Sequence, residues 1–365
     1  MNNTCKHIIL FSVLSCLLSH AVAQGNEHKK DSITFSGYLE AYYVYSFNRP
    51  QDHTLPPFIY NYNRTEEVNI NLAFFKVNYD ARDLRANFAI AAGTYMNANY
   101  AAEPGVLKNI YEADAGVKIL KNRDLWVDAG IMPSHIGFES AVGKDNLTLS
   151  RSIVAENTPY YETGVKLGYT NRNGKWYIAI LYLNGWQNIQ RSNGSNSPAV
   201  GTQVTRTASP EFTLNYSTFA GKISADTIKQ MRYYNDLYGI FNLNKNWSIE
   251  AGIDDGLQQE ERSKNKYDSW YAPVLIVCYS PFPKMKLAAR AEYFNDKHNA
   301  MIAAENTTGF RTTGFSFNAD YDLSSQAIWR IEIRNFSSKE ELFINKENNF
   351  VNKDAIISTA LSIAF

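Results

Sequence analysis

The chain has 365 residues, and its 36 Asp and Glu residues balance its 36 Lys and Arg residues. This balance argues against a nucleic-acid-binding protein, because such proteins usually carry a net basic patch. Tyrosine is the most abundant aromatic residue while the mean hydropathy is −0.35, which suits strands with one lipid-facing and one water-facing side and also suits a soluble β-sandwich.

Residues 1–23 have the pattern of a secretory signal peptide. Lys6 precedes an apolar run over residues 8–18, and the Ala-Val-Ala sequence at 21–23 is a small-x-small cleavage site. The alternative is a lipoprotein processing site at Cys16, although apolar residues continue beyond that cysteine where a polar tether would be expected. We therefore expect an exported protein.

After the signal peptide, we expect residues 24–32 to form a short periplasmic lead-in and residues 33–365 to form the folded domain. The mature chain keeps Cys278 alone, which excludes an intramolecular disulfide. It contains no stretch of ~20 apolar residues, the length a transmembrane helix needs. If the protein enters a membrane, it must do so with strands.

Alternation of apolar and polar residues predicts about sixteen strands of roughly ten residues, a length that crosses a bilayer at the usual tilt. An even number of strands is typical of bacterial outer-membrane barrels. The predicted strands cover residues 33–47, 67–79, 84–98, 110–120, 124–132, 161–170, 175–183, 200–208, 211–219, 231–243, 246–256, 268–280, 284–295, 310–322, 327–336 and 355–365.

The connections between these strands alternate between tight turns and long polar loops. This asymmetry is typical of barrels with short periplasmic turns and long extracellular loops, whereas a soluble sandwich has no reason to sort its loops in this way. The sequence therefore predicts an all-β fold, a transmembrane up-and-down antiparallel β-barrel. The turns include residues 80–83, 121–124, 171–174, 209–211 and 323–326, and the loops cover 48–66, 99–109, 133–160, 184–199, 220–230, 257–267, 296–309 and 337–354.

Aromatic residues mark the expected membrane boundary. Trp176, Trp247 and Trp329 each follow a short turn on the apolar side of a strand, which predicts an aromatic girdle at the periplasmic rim rather than three buried tryptophans. The last strand ends in Phe365 with no polar tail. A terminal aromatic strand of this kind is what barrel-assembly machinery recognises.

The polar side of each strand should face the lumen. Charges on the early strands would make that wall mildly acidic, and charges on the late strands would make the opposite wall mildly basic, which would orient dipolar solutes. The alternative is that these groups only solvate the lumen and pair across strands. The predicted pore-lining residues are Glu40, Arg85, Glu112, Asp114, Lys118, Asp128, Glu162, Lys166, Arg290, Glu292, Arg330, Glu332 and Arg334.

The longest connection, residues 133–160, is a candidate constriction loop. It is too rich in apolar residues for a solvated tail, and loops of this length are usually functional or disordered. Folding into the lumen would make it a constriction, whereas an external cap or a subunit contact is an equal alternative. Its charged residues available to a constriction are Glu139, Lys144, Asp145, Arg151 and Glu156.

The mature sequence lacks the standard catalytic motifs, and its few histidines are scattered without metal-ligand spacing, so we predict no metal site, no cofactor and no enzymatic activity. One constellation could support an enzyme. Ser134 and His135, with Glu139 and Ser140 nearby, could form a serine–histidine pair that hydrolyses lipid. A loop histidine that caps a turn is the commoner role.

Several segments resemble a known family. SGYLEAYYVYSF at 36–47, DAGIMPSHIGFESAVGKD at 128–145, ENTPYYETGVKLGYT at 156–170, LNGWQ at 183–187 and TGFSFNADYDL at 313–323 are similar to the β-barrel porins of Bacteroidetes-type outer membranes, the OmpL-like outer-membrane β-barrels. The resemblance covers nearly the whole mature chain. It implies an outer-membrane channel without a defined substrate, and it supplies no catalytic residues.

The expected function is passive diffusion of small hydrophilic solutes across the outer membrane of a Gram-negative bacterium. The expected partners are outer-membrane lipid, the barrel-assembly machinery that reads the strand ending in Phe365, and the solute, with no nucleic acid. A homo-oligomer is compatible with the sequence. The alternatives are a barrel-embedded lipid hydrolase that uses His135, a non-conducting anchor, and a soluble exported binding protein.

Overall fold

The computed structural model describes residues 31–365, apart from 192, 229, 262–264 and 305–308. The predicted signal peptide, residues 1–23, and most of the predicted lead-in, residues 24–32, lie outside the described residues. Across the described ranges, no helix combines the length and the apolar character that crossing a membrane requires.

In the described part of the chain, sixteen antiparallel strands close into one barrel. This architecture confirms the predicted all-β fold class. The barrel strands are β1 Ser32–Ser46, β2 Val68–Asp80, β3 Leu84–Ala92, β4 Ile110–Lys118, β5 Asp124–Pro133, β6 Tyr161–Thr170, β7 Trp176–Leu183, β8 Ala199–Ser209, β9 Phe212–Lys222, β10 Met231–Asn242, β11 Trp247–Gln259, β12 Tyr267–Phe282, β13 Met285–Asp296, β14 Phe310–Asp322, β15 Ala327–Ser338 and β18 Lys353–Ala364.

The first and last strands of the barrel pair with each other. Their register runs from Tyr38 opposite Ala364 to Ser46 opposite Ile356. Beyond the end of β18, the backbone of Phe365 exchanges two hydrogen bonds of 2.8 and 3.0 Å with Gly37. A Cβ on Gly37 would overlap the ring of Phe365, so glycine leaves room for the terminal aromatic side chain at the closing seam.

The remaining elements lie in the long loops. Helix α1 covers Thr94–Asn99, and helix α2 covers Ile153–Glu156. Strands β16 Phe343–Ile344 and β17 Phe350–Val351 pair with each other in a hairpin outside the barrel sheet.

The outer face of the barrel is apolar because alternate residues of each strand point outward. On β3, for example, Leu84, Phe88 and Ile90 are exposed while Ala89 is buried. The three tryptophans predicted at the periplasmic rim are exposed, with Trp176 and Trp247 first in their strands and Trp329 third in β15. Their position is that of an aromatic girdle rather than a buried core.

Strand β3 ends at Ala92, so the prediction of a strand over residues 84–98 was wrong beyond that residue. Gly93 has a φ of 130°, and a Cβ there would overlap the backbone of Asn71 on β2. This turn directs the chain into α1, in which Tyr95 and Met96 are buried. The alternation in 94–98 therefore belongs to one helical turn.

The interior is apolar along part of its wall. Strands β7 and β12, which are apolar on both faces in the sequence, turn buried residues such as Leu181 and Ile276 inward. At the long-loop end, these strands meet a cluster of buried aromatic residues that packs inside the barrel. The cluster contains Phe58, Phe219, Tyr234, Trp270, Phe294, Phe310, Phe336 and Phe343.

Candidate channel lumen

Loop 3, residues 134–160 between β5 and β6, lies inside the barrel. Its backbone amides donate hydrogen bonds to inward-facing side chains of three strands. The N–H of Leu149 lies 3.0 Å from Asn318 Oδ1 on β14, and the N–H of Ser150 lies 2.6 Å from Glu332 Oε2 on β15. Further along, the Ile153 amide donates to Glu292 on β13 at 2.6 Å. The loop therefore lies in the lumen and does not form an external cap.

Arg330 on β15 makes the most extensive connection between the barrel wall and loop 3. Its guanidinium donates to both carboxylate oxygens of Asp320, each at 2.8 Å, and to the backbone carbonyls of Gly143 and Asn146. The Arg330 side chain is 0% exposed. Although the group faces inward, the loop separates it from open space.

Arg290 and Arg334 are enclosed in the same way. Arg290 donates to the Ser150 carbonyl at 2.6 Å and pairs with Glu332 at 3.1 Å. Arg334 donates to Ser150 Oγ at 3.1 Å and pairs with Glu292. We call Arg290, Arg330 and Arg334 the covered wall, because they lie beneath loop 3 instead of along an open passage as the sequence predicted.

Loop 3 stabilises its own turns with two of its charged residues. Arg151 is fully buried and donates to the carbonyls of Ser140, Ala141 and Leu149, all within the loop. Glu139 is also buried and accepts hydrogen bonds from the backbone and hydroxyl of Ser152. Neither group is free to meet a solute.

Lys144 and Asp145 are the candidate constriction residues that remain exposed. They pair with each other at 3.0 Å. Lys144 also borders a small cleft beside the periplasmic turn at 322–327. Loop 3 therefore reaches from the extracellular ends of β5 and β6 to the opposite end of the barrel.

Glu156, the last candidate in loop 3, joins it to loop 1, residues 47–67. One carboxylate oxygen of Glu156 accepts the N–H of Tyr60 at 2.9 Å, the N–H of Asn61 at 3.0 Å and the Asn61 side-chain amide at 3.1 Å. Burial raises the pKa of Glu156 to about 7, although Arg151 and these hydrogen bonds favour its ionised form. Loop 1 is a second inward loop that the alternation of the strands did not predict, although it contains the apolar run at residues 56–59.

Glu40 on β1 faces the interior and is fully enclosed. Its carboxylate accepts hydrogen bonds from the hydroxyls of Tyr38 at 2.6 Å, Tyr62 at 2.8 Å and Ser362 at 2.7 Å, and from the amide of Asn71 at 3.1 Å. Neutral groups from β1, β2, β18 and loop 1 thus satisfy it. Glu40 fastens loop 1 and does not border an open space.

Charged side chains remain accessible on the inner face of β2 to β6. We call Lys76, Arg85, Lys118 and Lys166 the open wall, because each keeps about a fifth to two fifths of its side chain exposed. In the strand order of the barrel, β1 and β18 separate this wall from the covered wall on one side, and β7 to β12 separate the two walls on the other side. It borders the part of the lumen that loop 3 leaves uncovered.

Carboxylates lie beneath the cations of the open wall. Arg85 contacts both oxygens of Asp128 at 2.7 and 2.6 Å, and Lys166 lies 3.9 Å from the same carboxylate. Lys76 pairs with Glu112 at 2.6 Å. Because Asp128 and Glu112 are buried, the cations form the water-facing layer, contrary to the mildly acidic wall that the sequence predicted.

Three further contacts complete the open wall. Asp114 accepts a hydrogen bond from Asn87 at 3.1 Å and remains half-buried. Trp126 packs beneath Arg85, whose guanidinium carbon lies 4.3 Å from the ring centroid. Lys118 lies 3.6 Å from Asp124 near the short turn between β4 and β5.

A cavity of about 380 Å³ lies between loop 3 and the inner faces of β2 and β4. Lys76 and Glu112 line it together with Phe74, Tyr111 and Tyr160. Strict alternation along β4 would place Tyr111 on the lipid face, but the register shifts between Ala89 and Ile90 of the neighbouring strand, and the Tyr111 ring stacks on Phe74 at 5.3 Å. The cavity therefore has both charged and aromatic walls.

His135 is held in place at the start of loop 3. Its Nδ1 lies 2.8 Å from Glu162, and its Nε2 lies 2.9 Å from the carbonyl oxygen of Thr218. Ser134 and Ser140 instead accept backbone amides of the loop. The lipid-hydrolase alternative requires a hydrogen bond between a histidine nitrogen and a serine hydroxyl, and neither ring nitrogen of His135 makes one. Glu162, predicted to line the pore, is buried against this histidine.

Among the described residues, no group of three or more His, Cys, Asp and Glu side chains is arranged to hold a metal ion.

Comparison with protein families gives one match over almost the whole described chain. The family model described as "Putative beta-barrel porin-2, OmpL-like" matches residues 32–365. A search of curated proteins finds no match.

Solved structures of outer-membrane proteins share the fold. An anion-selective porin from Comamonas acidovorans has 9% identity and a TM-score of 0.60 over 92% of this chain and 100% of that chain. The trimer form of in-vitro folded OmpT, an outer membrane protein from Vibrio cholerae, has 12% identity and a TM-score of 0.59 over 92% of this chain and 100% of that chain. The outer membrane channel DcaP of Acinetobacter baumannii has 9% identity and a TM-score of 0.59 over 94% of this chain and 100% of that chain. Identities this low show a common fold alone.

Proposed function

Because this chain belongs to the OmpL-like β-barrel porin-2 family, we propose that small hydrophilic solutes diffuse passively through it across the outer membrane. The observation that carries this proposal is that loop 3 fills one side of the lumen and leaves the other side uncovered. Loop 3 is fastened to β13, β14 and β15, whereas the open wall on β2 to β6 keeps its charged side chains accessible. Solutes would move along the open wall.

Loop 3 would set the size limit of the passage, because a sixteen-stranded barrel without an inserted loop is wide enough for an aqueous channel. The open wall would give only a weak charge preference. Its four cations, Lys76, Arg85, Lys118 and Lys166, are balanced by four carboxylates on the same wall, Glu112, Asp114, Asp124 and Asp128. No catalytic step belongs to this function.

We also propose roles for residues 1–23 in export and for β18 in assembly. Residues 1–23 would direct secretion, and the strand that ends in Phe365 would be read by the barrel-assembly machinery. The Phe365 side chain is exposed at the closing seam, which supports its availability to such a partner. The trimer form of the Vibrio cholerae protein, which shares the fold, supports the proposal that this chain also forms a homo-oligomer.

Swelling of liposomes that contain the folded protein tests the passage. We expect faster entry of small neutral sugars than in protein-free liposomes, and slower entry as the sugar grows. Asn87→Trp would slow entry because the side chain at position 87 points into the open part of the lumen beside Asp114. The matched control Ala86→Trp places the same ring on the outer face of β3 and should leave entry unchanged.

The aromatic cluster at the extracellular end supports a second candidate, a non-conducting outer-membrane anchor. Phe58 from loop 1 packs there against Phe310 at 4.8 Å, which fills the mouth beside β14. If the protein is only an anchor, liposomes that contain it should swell no faster than protein-free liposomes. Heat-modifiable gel mobility would show that the protein in those liposomes is folded. Lipid release that is lost in His135→Ala would instead favour the hydrolase.

A further inference from the structure

A second cavity lies at the extracellular mouth, outside the lumen already described. Its volume is about 430 Å³. Its walls come from loop 1, from Ala98 in α1, from residues 303 and 304 before β14, from loop 8 (residues 339–352) and from Asp354 at the start of β18. Apolar side chains form most of its lining, among them Leu55, Phe58, Ile59, Ile344 and Phe350. Cavities of this size with apolar walls and a few polar groups are typical of small-molecule sites.

Three prolines and a hydrogen bond between two loops restrict the shape of this cavity before any ligand arrives. Loop 1 contains Pro50, Pro56 and Pro57, whose rings restrict the backbone. The side-chain amide of Gln51 donates to the carbonyl of Lys346 at 2.8 Å, which joins loop 1 to loop 8. A preformed site is favourable for binding because less conformational entropy is lost when a ligand enters.

The charged groups of the cavity are all acidic. Asp52, Glu341 and Asp354 line it, and the described lining residues include no Lys, Arg or His. Asp52 accepts the amide and hydroxyl of Thr54, and Asp354 accepts the hydroxyl of Ser46 at 3.1 Å. These donors are neutral, and the nearby Arg64, which donates to the backbone carbonyl of Asp52 at 3.1 Å, pairs with Glu67 and does not line the cavity.

The nearest cation on the loop 8 hairpin does not neutralise them. Lys346 pairs with Glu347 at 3.5 Å, and neither residue lines the cavity. Asn63 adds an independent polar feature, because its buried Oδ1 has no hydrogen-bond partner although the residue lines the cavity.

We propose that the mouth cavity binds a small organic cation, an ammonium group carried on an apolar or aromatic body. The apolar walls would bury the body, while Asp52 and Glu341 would attract the ammonium group. The aromatic rings of Phe58, Tyr60 and Phe350 add surfaces that attract cations. A role for this site in capturing solutes before they cross the barrel rests on the proposed channel function. Binding of the cation itself does not require conduction.

Three ligands with the same ring and different charges test the proposal. Protein in lipid nanodiscs is titrated with 2-phenylethylamine, 2-phenylethanol or 3-phenylpropanoate, and binding is followed by ligand-observed NMR after subtraction of empty nanodiscs. We expect the amine to bind about tenfold more tightly than the alcohol, which corresponds to ~1.4 kcal/mol, and the anion to bind most weakly. Equal affinities, tighter binding of the anion or no binding would overturn the proposal.

Two variants locate the effect at the cavity. The double variant Asp52→Asn with Glu341→Gln should remove most of the preference for the amine, because both side chains are exposed and their replacements keep the same shape. The control Glu347→Gln neutralises a carboxylate that, like Glu341, belongs to loop 8 but does not line the cavity. A preference that survives in the double variant, or is lost in the control, would contradict the assigned site.

The two proposals fail separately. Amine binding in nanodiscs without solute entry into liposomes would remove the channel function and leave the cation site. Solute entry into liposomes without preferential binding of the amine would support the channel function and remove the cation site. Should the double variant fail to fold, the comparison of the three ligands on the unmodified protein still decides the question.

Discussion

Arg330 on β15 and Arg85 on β3 both point into the barrel, and each makes two hydrogen bonds to an aspartate, yet their surroundings differ. The Arg330 side chain is 0% exposed because loop 3 lies over it, whereas the Arg85 side chain is 38% exposed and rests on Trp126. An inward charge can thus be part of the packing or part of the passage. Which of these it becomes depends on the loop that covers it.

The largest expected effect is the loss of Arg330. Arg330→Ala would leave the buried Asp320 without a cation and the carbonyls of Gly143 and Asn146 without their donor. Breaking a buried ion pair on one side typically costs about 3–5 kcal/mol. Urea unfolding of the protein in lipid vesicles measures the loss, and hydrogen exchange should increase at residues 143–146.

Lys166→Ala is the matched control on the open wall. Lys166 is partly exposed and lies 3.9 Å from Asp128, so its removal should cost less than ~1 kcal/mol. Equal destabilisation by the two variants would contradict the distinction between a covered and an open wall.

Glu156 makes the attachment between loops 1 and 3 sensitive to pH. In the unfolded chain Glu156 ionises near its usual pKa of 4.5, whereas burial raises its pKa in the folded protein to about 7. The folded protein therefore binds more protons between these values, and the stability that the neutral carboxyl contributes is lost as the pH rises from 4.5 through 7. The loss is on the order of 3 kcal/mol.

Glu156→Gln keeps an oxygen that can accept the amides of Tyr60 and Asn61 but cannot ionise. We expect this variant to lack the loss of stability between pH 4.5 and 8, as measured by unfolding midpoints in lipid vesicles. Asp145→Asn, which removes an exposed carboxylate of the same loop, should keep it. If the stability of the unmodified protein and that of Glu156→Gln depend on pH in the same way, ionisation of the buried Glu156 does not control the attachment between loops 1 and 3.

The smallest expected effect on stability is on the open wall, where the change appears in ion preference. Replacing Lys118 and Lys166 with Gln changes the charge of the wall from balanced to −2 and should move the reversal potential in a salt gradient toward cations. The cost in stability should stay below about 1 kcal/mol for each partly exposed pair. Lys175→Gln, in the exposed turn before β7, should leave the reversal potential unchanged.

Much of the barrel could be predicted because lipid imposes a period of two on each strand. This period sets the face on which Arg85, Asp128 and Arg330 lie. It could not reveal that Arg330 is covered, because the covering residue, Gly143, lies 187 positions away in the chain. Whether an inward charge meets water is a long-range property.

The misplaced residues have local physical causes. Tyr111 sits at a register shift that turns it inward, and Gly93 ends β3 where the alternation continues in the sequence. The polar residues of loop 1 predict a solvated loop, but its apolar run from Pro56 to Ile59 contributes Phe58 and Ile59 to the buried cluster inside the mouth. That run was the available signal for a second inward loop.

Single-channel conductance of the purified, folded protein in a planar bilayer tests the central claim most directly. A passage along the open wall, narrowed by loop 3, predicts stepwise openings with a weak ion preference, and larger steps for Arg330→Ala as the loop loses its attachment. A silent bilayer, with folding verified by heat-modifiable gel mobility, would contradict the channel.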